Sequence, residues 1–168
     1  VNSAGHNSVR IAEEFDHYQG RLQAKYGKGH YLKLNKCSPF SALIYPMPEM
    51  NGLGIHATLN LDGTVKFGPD FEWSNTYDTK PDRICCDKFV SQIERYWPGV
   101  KYAKLSFDYV GVRPRVSYDN QLLTDFKIEN QNDHGVAGFF NLLGIESPGL
   151  TSSLSIAETV TSDLLKMR

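Results

Sequence analysis

The sequence predicts an α+β fold: a mixed, mostly antiparallel sheet with about three flanking helices. Three observations carry this. Ile55, Ala57, Leu59 and Leu61 alternate with His56, Thr58 and Asn60, and Val65 and Phe67 return with the same period. That is the pattern of a hairpin of half-buried strands. Cys86, Val90, Ile93 and Trp97 recur at helical spacing and are closed by Pro98-Gly99. Last, the apolar run 138–143 turns through Gly144-Ile145-Glu146-Ser147-Pro148-Gly149-Leu150 and opens into a helix over 151–167. The start of such a helix presents unpaired N–H groups and partial positive charge, the ingredients of an anion site.

Taken in order, Val1-Asn2-Ser3-Ala4-Gly5 reads as a strand end. Asn7 to Phe15 reads as a short helix with Val9, Ala12 and Phe15 on one side. Residues 16–30 contain Gly20, Gly27 and Gly29 among polar residues and read as a connection with little order of its own. Tyr31 to Asn35 and Ala42 to Pro46 read as strands around a turn at Ser38-Pro39. In the hairpin, Asp62-Gly63 supplies a type I′ turn, and Gly68-Pro69 ends its second strand because proline cannot donate to a ladder. Pro81 opens the central helix, where its missing N–H costs nothing.

Leu105, Phe107 and Tyr109 form another strand, with a bulge or close backbone approach at Gly111 before Arg113-Pro114-Arg115. Asp125 to Glu129 and Gly138 to Leu143 are further strands. The last helix places Leu154, Ala157, Thr161 and Leu164 on one face, broadened by Ile156, Val160 and Met167. This gives roughly seven strands and three helices, with no repeat and no linker that divides the chain.

Composition narrows the function classes. The chain has 168 residues, 40% hydrophobic and 22% charged, with a formal net charge of −1. No basic excess invites nucleic acid. The longest apolar stretch falls well short of the ~20 residues of a transmembrane helix. Cys37, Cys85 and Cys86 are an odd number without metal-site spacing, which points to a reducing compartment, whether cytoplasmic, peripheral to a membrane or mitochondrial. No P-loop, GxSxG, HExxH or GxGxxG occurs, so the chain cannot build a nucleotide-binding βαβ unit from its own residues.

A few residues could carry chemistry. His56 and Thr58 lie on the polar side of a strand whose other side is apolar, either a solvated face or a pocket lining where His56 exchanges a hydrogen bond with a substrate hydroxyl. Arg113 follows a strand and a glycine, and its planar fork matches a carboxylate bidentately. His6, His17, His30 and His134 lack metal-ligand spacing and read as surface or helix-cap residues, so no metal site is expected.

Seven blocks then occur together and in order: Val1-Asn2-Ser3-Ala4-Gly5, Leu43-Ile44-Tyr45-Pro46-Met47-Pro48, Gly52-Leu53-Gly54-Ile55-His56-Ala57-Thr58, Phe67-Gly68-Pro69-Asp70-Phe71-Glu72-Trp73, Tyr96-Trp97-Pro98-Gly99, Tyr109-Val110-Gly111-Val112-Arg113-Pro114-Arg115, and Gly144 to Thr151. The series resembles the C-terminal portion of FAD-dependent oxidoreductases of the D-amino-acid-oxidase-like superfamily, nearest to the L-2-hydroxyglutarate dehydrogenase/oxidase-like group. His6 and His30 depart from that pattern, His6 from a usual apolar residue and His30 from an acidic one.

The resemblance implies a flavoenzyme that oxidises a small 2-hydroxy acid, with FAD as cofactor and a small carboxylate as substrate. It implies that the N-terminal Rossmann part is absent here. Residues 1–15 would end the FAD-binding part, 16–135 would form a substrate-domain-like region, and 136–168 would return to the FAD domain with a flavin-facing helix. Asn2, Ala4 and Gly5 would approach FAD. Gly144, Gly149, Leu150 and Thr151 would bring backbone N–H groups to the flavin. Arg113 would hold the substrate carboxylate, with His56 and Tyr109 in the pocket. A chain lacking its partner part would bind FAD weakly or not at all and would expose apolar surface through which it could dimerise. Two other readings stay open: an amine-oxidising enzyme of the glycine-oxidase type, and a non-catalytic binding domain.

Overall fold

The computed structural model describes residues 1–47, 54–81 and 86–166. The expectations for Pro48, Gly52, Leu53, Cys85 and Met167 fall outside those residues. Among the described residues the chain is α+β, with eight strands and four α-helices, and the strand pairings are antiparallel. It divides into two compact units: Val1–Tyr26 with Arg113–Arg168, and Gly27–Val112.

The first unit begins with a 3-10 turn, Gly5–Asn7, and the short helix α1, Ser8–Ala12. Helix α1 is shorter than its sequence suggests because Phe15 is already extended before a second 3-10 turn, Asp16–Tyr18. Val9, Ala12, Tyr18, Leu22, Val116 and Leu143 form its main core. A second cluster joins Phe140 and Leu142 to Val160.

Strand β1, Leu22–Leu34, runs from the first unit into the second. This corrects the reading of 16–30 as a connection. Gly29 there serves packing: a Cβ on it would stand 2.6 Å from the Pro69 Cβ. In the second unit β2, His56–Leu59, pairs with β3, Val65–Gly68, in the register Ala57↔Phe67 and Leu59↔Val65. Strand β3 in turn pairs with β1 through Leu32↔Phe67, and β4, Glu72–Ser74, also pairs with β1.

The β2–β3 turn differs from the expected type I′. Gly63 alone is left-handed there, at φ 78°. Gly63 N–H donates to Asn60 O at 3.1 Å and Asn60 N–H to Thr64 O at 2.9 Å. This is a three-residue loop with glycine at its left-handed position, and it leaves Leu61 exposed at the tip rather than in a strand. Ala42 to Pro46 is not a strand either; it contributes the isolated bridge Ile44↔Ala57.

Helix α2, Cys86–Glu94, buries Phe89 and Ile93, while Cys86 is exposed, so the apolar stripe is rotated from the expected one. Together with Leu32, Leu34, Ile55, Ala57, Val65, Phe67 and Val100 they make the core of the second unit, where Trp97 stacks parallel to Phe67.

Strand β5, Leu105–Tyr118, passes through Gly111 and Pro114 without a break and re-enters the first unit. It turns at Asp119-Asn120, both left-handed at φ 48° and 63°, into β6, Gln121–Leu122. The type I′ geometry expected at residues 62–63 is found here. Strand β7, Lys127–Glu129, pairs with β8, Asn141–Leu143. Between them α3, Gln131–His134, is closed by a reciprocal Asn130–Asp133 cap. Helix α4, Ser153–Lys166, starts later than residue 151. Its buried side is Ile156, Val160 and Leu164, whereas Leu154 is 84% exposed and Ala157 and Thr161 also face outward. The spacing i, i+4, i+8 governs packing rather than the 154/157/161/164 set.

Candidate functional site

The N-terminal segment is held by Asn2. Its N–H donates to Phe140 O at 2.7 Å and its O accepts from Leu142 N–H at 3.0 Å, which adds a parallel bridge alongside Asn141. The Asn2 side chain donates through Nδ2 to Ser8 O and to Asn141 Oδ1, both at 2.8 Å, and Oδ1 accepts from Ala4 N–H at 3.3 Å. Asn2 is therefore a buried clamp. Its bonds shape a concavity of about 290 Å³ lined by Val1, Asn2, Ser3, Ala4, Ile11 and Phe139. Ala4 is at its wall, and Gly5 follows with φ 57°.

Behind β8 the chain turns at Gly144, φ 65°. Glu146 N–H donates to Gly144 O at 2.9 Å, and Gly149 N–H donates back to Glu146 O. A Cβ on Gly149 would meet Glu146 O and the Ile145 Cγ2 at 2.6 Å, so Gly149 is needed for close packing of the turn on itself. Its N–H is thereby engaged within the chain. Ser152 N–H goes to Pro148 O and Ser153 N–H to Leu150 O. Among the described residues, Leu150 and Thr151 are left with N–H groups that make no hydrogen bond to the chain. They lie just before α4, whose first turn carries no acidic side chain to offset its positive end.

Arg113 and Arg115 lie two positions apart on β5, hence on one face of the strand. Both reach Glu146. Arg115 Nη1 pairs with Glu146 Oε1, and Arg113 Nη1 stands 3.4 Å from Oε2. The side chains are 32% exposed for Arg113 and 13% for Glu146. Burial lowers the pKa of Arg115 from its ordinary value, and the neighbouring charge of Arg113 adds to this.

In the second unit, His56 sits on β2 opposite Gly68 and is buried, with the Tyr45 ring tilted over it at 4.1 Å. The strand face at His56 is covered rather than solvated. Tyr109 stacks on Tyr31 with ring centres 4.4 Å apart and planes 13° from parallel. Lys66 Nζ lies 5.3 Å from the Tyr109 ring centre and 6.0 Å from that of Tyr31, within cation–π range. Burial raises the Tyr109 pKa above its ordinary value. Tyr31, Lys66, Arg115 and Glu146 are absent from the sequence-based site. For Arg115 the signal was present, since Arg-Pro-Arg in a strand puts both guanidinium groups on one side. His30 and His134, read as surface or cap residues, are both buried. His30 Nδ1 is 2.9 Å from Asp70 Oδ1, which also accepts the His30 N–H at 2.7 Å.

A family model described as FAD dependent oxidoreductase matches residues 1–162. The chain belongs to that family. It is 41% identical over 180 residues to the L-2-hydroxyglutarate dehydrogenase, mitochondrial, of Arabidopsis thaliana, covering 99% of this chain and 37% of the relative. It is 28% identical to the glycerol 3-phosphate dehydrogenase of Caloramator mitchellensis, covering 99% of this chain and 33% of that protein. Among solved structures, the dithionite-reduced L-α-glycerophosphate oxidase of Mycoplasma pneumoniae with FAD bound aligns with a TM-score of 0.72 at 22% identity, over 98% of this chain and 42% of that one. That likeness shows the fold. The chain thus spans between about a third and two-fifths of the length of these relatives. No described helix is long and apolar enough to cross a membrane.

For this FAD-dependent family, two separate features of the first unit are compatible with contact to the cofactor. The concavity beside Ala4 is lined by main chain and apolar side chains, and the Leu150 and Thr151 N–H groups are open to an acceptor. Each is a kind of surface that a flat heterocycle with carbonyl and ring-nitrogen acceptors can use.

Proposed function

We propose that the protein containing this chain is a flavoenzyme that oxidises a small 2-hydroxy acid of the 2-hydroxyglutarate type. FAD, when bound, supplies the acceptor for the two electrons leaving the α-carbon. The Arabidopsis relative's name and its 41% identity support the substrate class. The observation that carries the reading is the Arg113 fork, a partly exposed guanidinium held at one nitrogen by Glu146. Its remaining N–H groups suit a carboxylate taken in two parallel charge-assisted bonds.

Arg113 orients the substrate through that carboxylate. Leu150 and Thr151 offer N–H groups to developing negative charge, and the start of α4 adds its dipole. Asn2, Ala4, Gly5, Gly144 and Gly149 act as shapers of the cofactor-facing surface. His56 is proposed as partner of the substrate hydroxyl and Tyr109 as a pocket wall. These two belong to the second unit, and each role is proposed by itself. We further propose the division at 1–15, 16–135 and 136–168 by cofactor or substrate role, with sequence beyond this chain completing the FAD site. The relatives' greater length supports that completion. Exposed Val1, Leu150, Leu154 and Leu165 support an apolar contact with a further part of the protein or a second copy. The mitochondrial relative supports a mitochondrial compartment.

The test is Arg113→Ala in the full-length flavoprotein, assayed on L-2-hydroxyglutarate and on its 2-amino counterpart. Truncating one member of a charge pair costs about 2–5 kcal/mol. The expected loss in kcat/KM is therefore roughly 30- to several thousand-fold, with flavin content unchanged. Arg113→Lys recovers part of it. Near-normal kcat/KM, or loss of flavin instead, overturns the assignment, and preferred turnover of the amino acid overturns the substrate class.

A further inference from the structure

Glu146 is fixed by its main chain before its side chain acts. Its N–H is bound to Gly144 O and its carbonyl accepts the Gly149 N–H, across a turn that tolerates no side chain at 149. The carboxylate is thus delivered to one place against β5. There it meets two guanidinium groups unequally: Oε1 closes on Arg115 Nη1, while Oε2 stands at 3.4 Å from Arg113 Nη1, too long for a strong bond. Two cations share one anion, leaving one uncompensated positive charge. Among the described residues Arg113 has no other hydrogen-bond partner, and Arg115 Nε is buried without one.

We propose that Glu146 and Arg115 form a neutralised pair that positions Arg113, so that the free charge of the cluster lies on the outer edge of the Arg113 fork and is matched to a single substrate carboxylate. This rests on the reading of Arg113 as the substrate-carboxylate ligand. Arg115 keeps Glu146 from taking Arg113 in full. Glu146 in turn keeps two like charges on one strand face from splaying apart. Removing either partner misplaces Arg113, by capture in one case and by repulsion in the other. Removing both charges restores the balance, because a glutamine at 146 still offers one acceptor to Arg113 Nη1.

The experiment is a double-mutant cycle in the full-length flavoprotein with L-2-hydroxyglutarate, reading KM and kcat separately, beside Arg113→Ala. Glu146→Gln and Arg115→Gln should each raise KM by about tenfold or more with kcat changed by less than about threefold. The double variant should return KM to within about threefold of the parent. Singles with unchanged KM overturn the inference, as does a double variant whose losses add. If a single variant does not accumulate as folded flavoprotein, the charge-balanced double carries the test, and a KM raised more than about tenfold in it overturns the proposal. If the cycle fails while Arg113→Ala still loses kcat/KM, the role of Glu146 falls alone. If Arg113→Ala is also harmless, the carboxylate reading falls with it.

Discussion

Asn2 and Asn141 stand 139 residues apart in the sequence, and Asn2 Nδ2 donates to Asn141 Oδ1 at 2.8 Å. The same nitrogen also donates to Ser8 O, so one side chain ties the first residues to both α1 and β8. Both asparagines are buried.

Asn2→Ala strips donors from two acceptors that water does not reach easily. An unsatisfied buried group costs about 1–3 kcal/mol, and the loss should appear as a lower midpoint in denaturant unfolding. A midpoint unchanged within error would mean that water replaces the clamp.

His134 makes stability pH-dependent. Its Nδ1 accepts the Val136 N–H at 3.1 Å, which requires the neutral ring. Burial lowers its pKa below the ordinary value of 6.5 and His17 adds to this, while Glu129, Asp133 and the Phe139 backbone oppose it. Below 6.5 the unfolded chain therefore binds a proton that the folded chain refuses. Stability is fully present above that pH and declines as pH falls from it toward the folded pKa. His134→Asn, which keeps an acceptor, should flatten the decline between neutral and mildly acidic pH in thermal melts. An equally steep decline in the variant would assign the pH effect to other groups.

The Asp119-Asn120 turn supports a conformational prediction. Asn120 is left-handed at φ 63°, where a β-branched residue is strained by about 1–2 kcal/mol. Asn120→Val should destabilise by that amount, while Asn120→Gly should be neutral or stabilising. Equal stability of the two variants would show that the turn changes type freely.

The β2–β3 pairing, the buried positions Ala57, Val65 and Phe67, and the fold class were legible because alternation marks one apolar face; that the opposite face at His56 is buried as well was not. Strand β1 was not. Its glycines suggest a loop by local propensity, and only the position of Pro69 against Gly29 shows that close packing demands that one. The turn at Asp62-Gly63 misled because this pair suits left-handed backbone in more than one loop length, and strand register set the length; the Asp119-Asn120 turn was not read from the sequence at all. In the candidate site, Arg113 stood out by its context, but Glu146 did not, since its partners are 31 and 33 positions away. The Gly149 N–H was read as open to a ligand, and the turn closes it on Glu146 O.

The second unit is an insertion within the first, which is written in two pieces on either side of it. On the ribosome, therefore, residues 1–26 emerge long before Val116 and Leu143, which complete their core. Gly27–Val112 can form its local hairpin and helix contacts while the opening segment waits as an unpaired edge. Only when β8 has been made can Asn2 find Asn141, so the concavity beside Val1 to Ala4 is completed long after its own first residues are made. A cofactor that needs that surface has to wait for β8, however early Val1 to Ala4 are made.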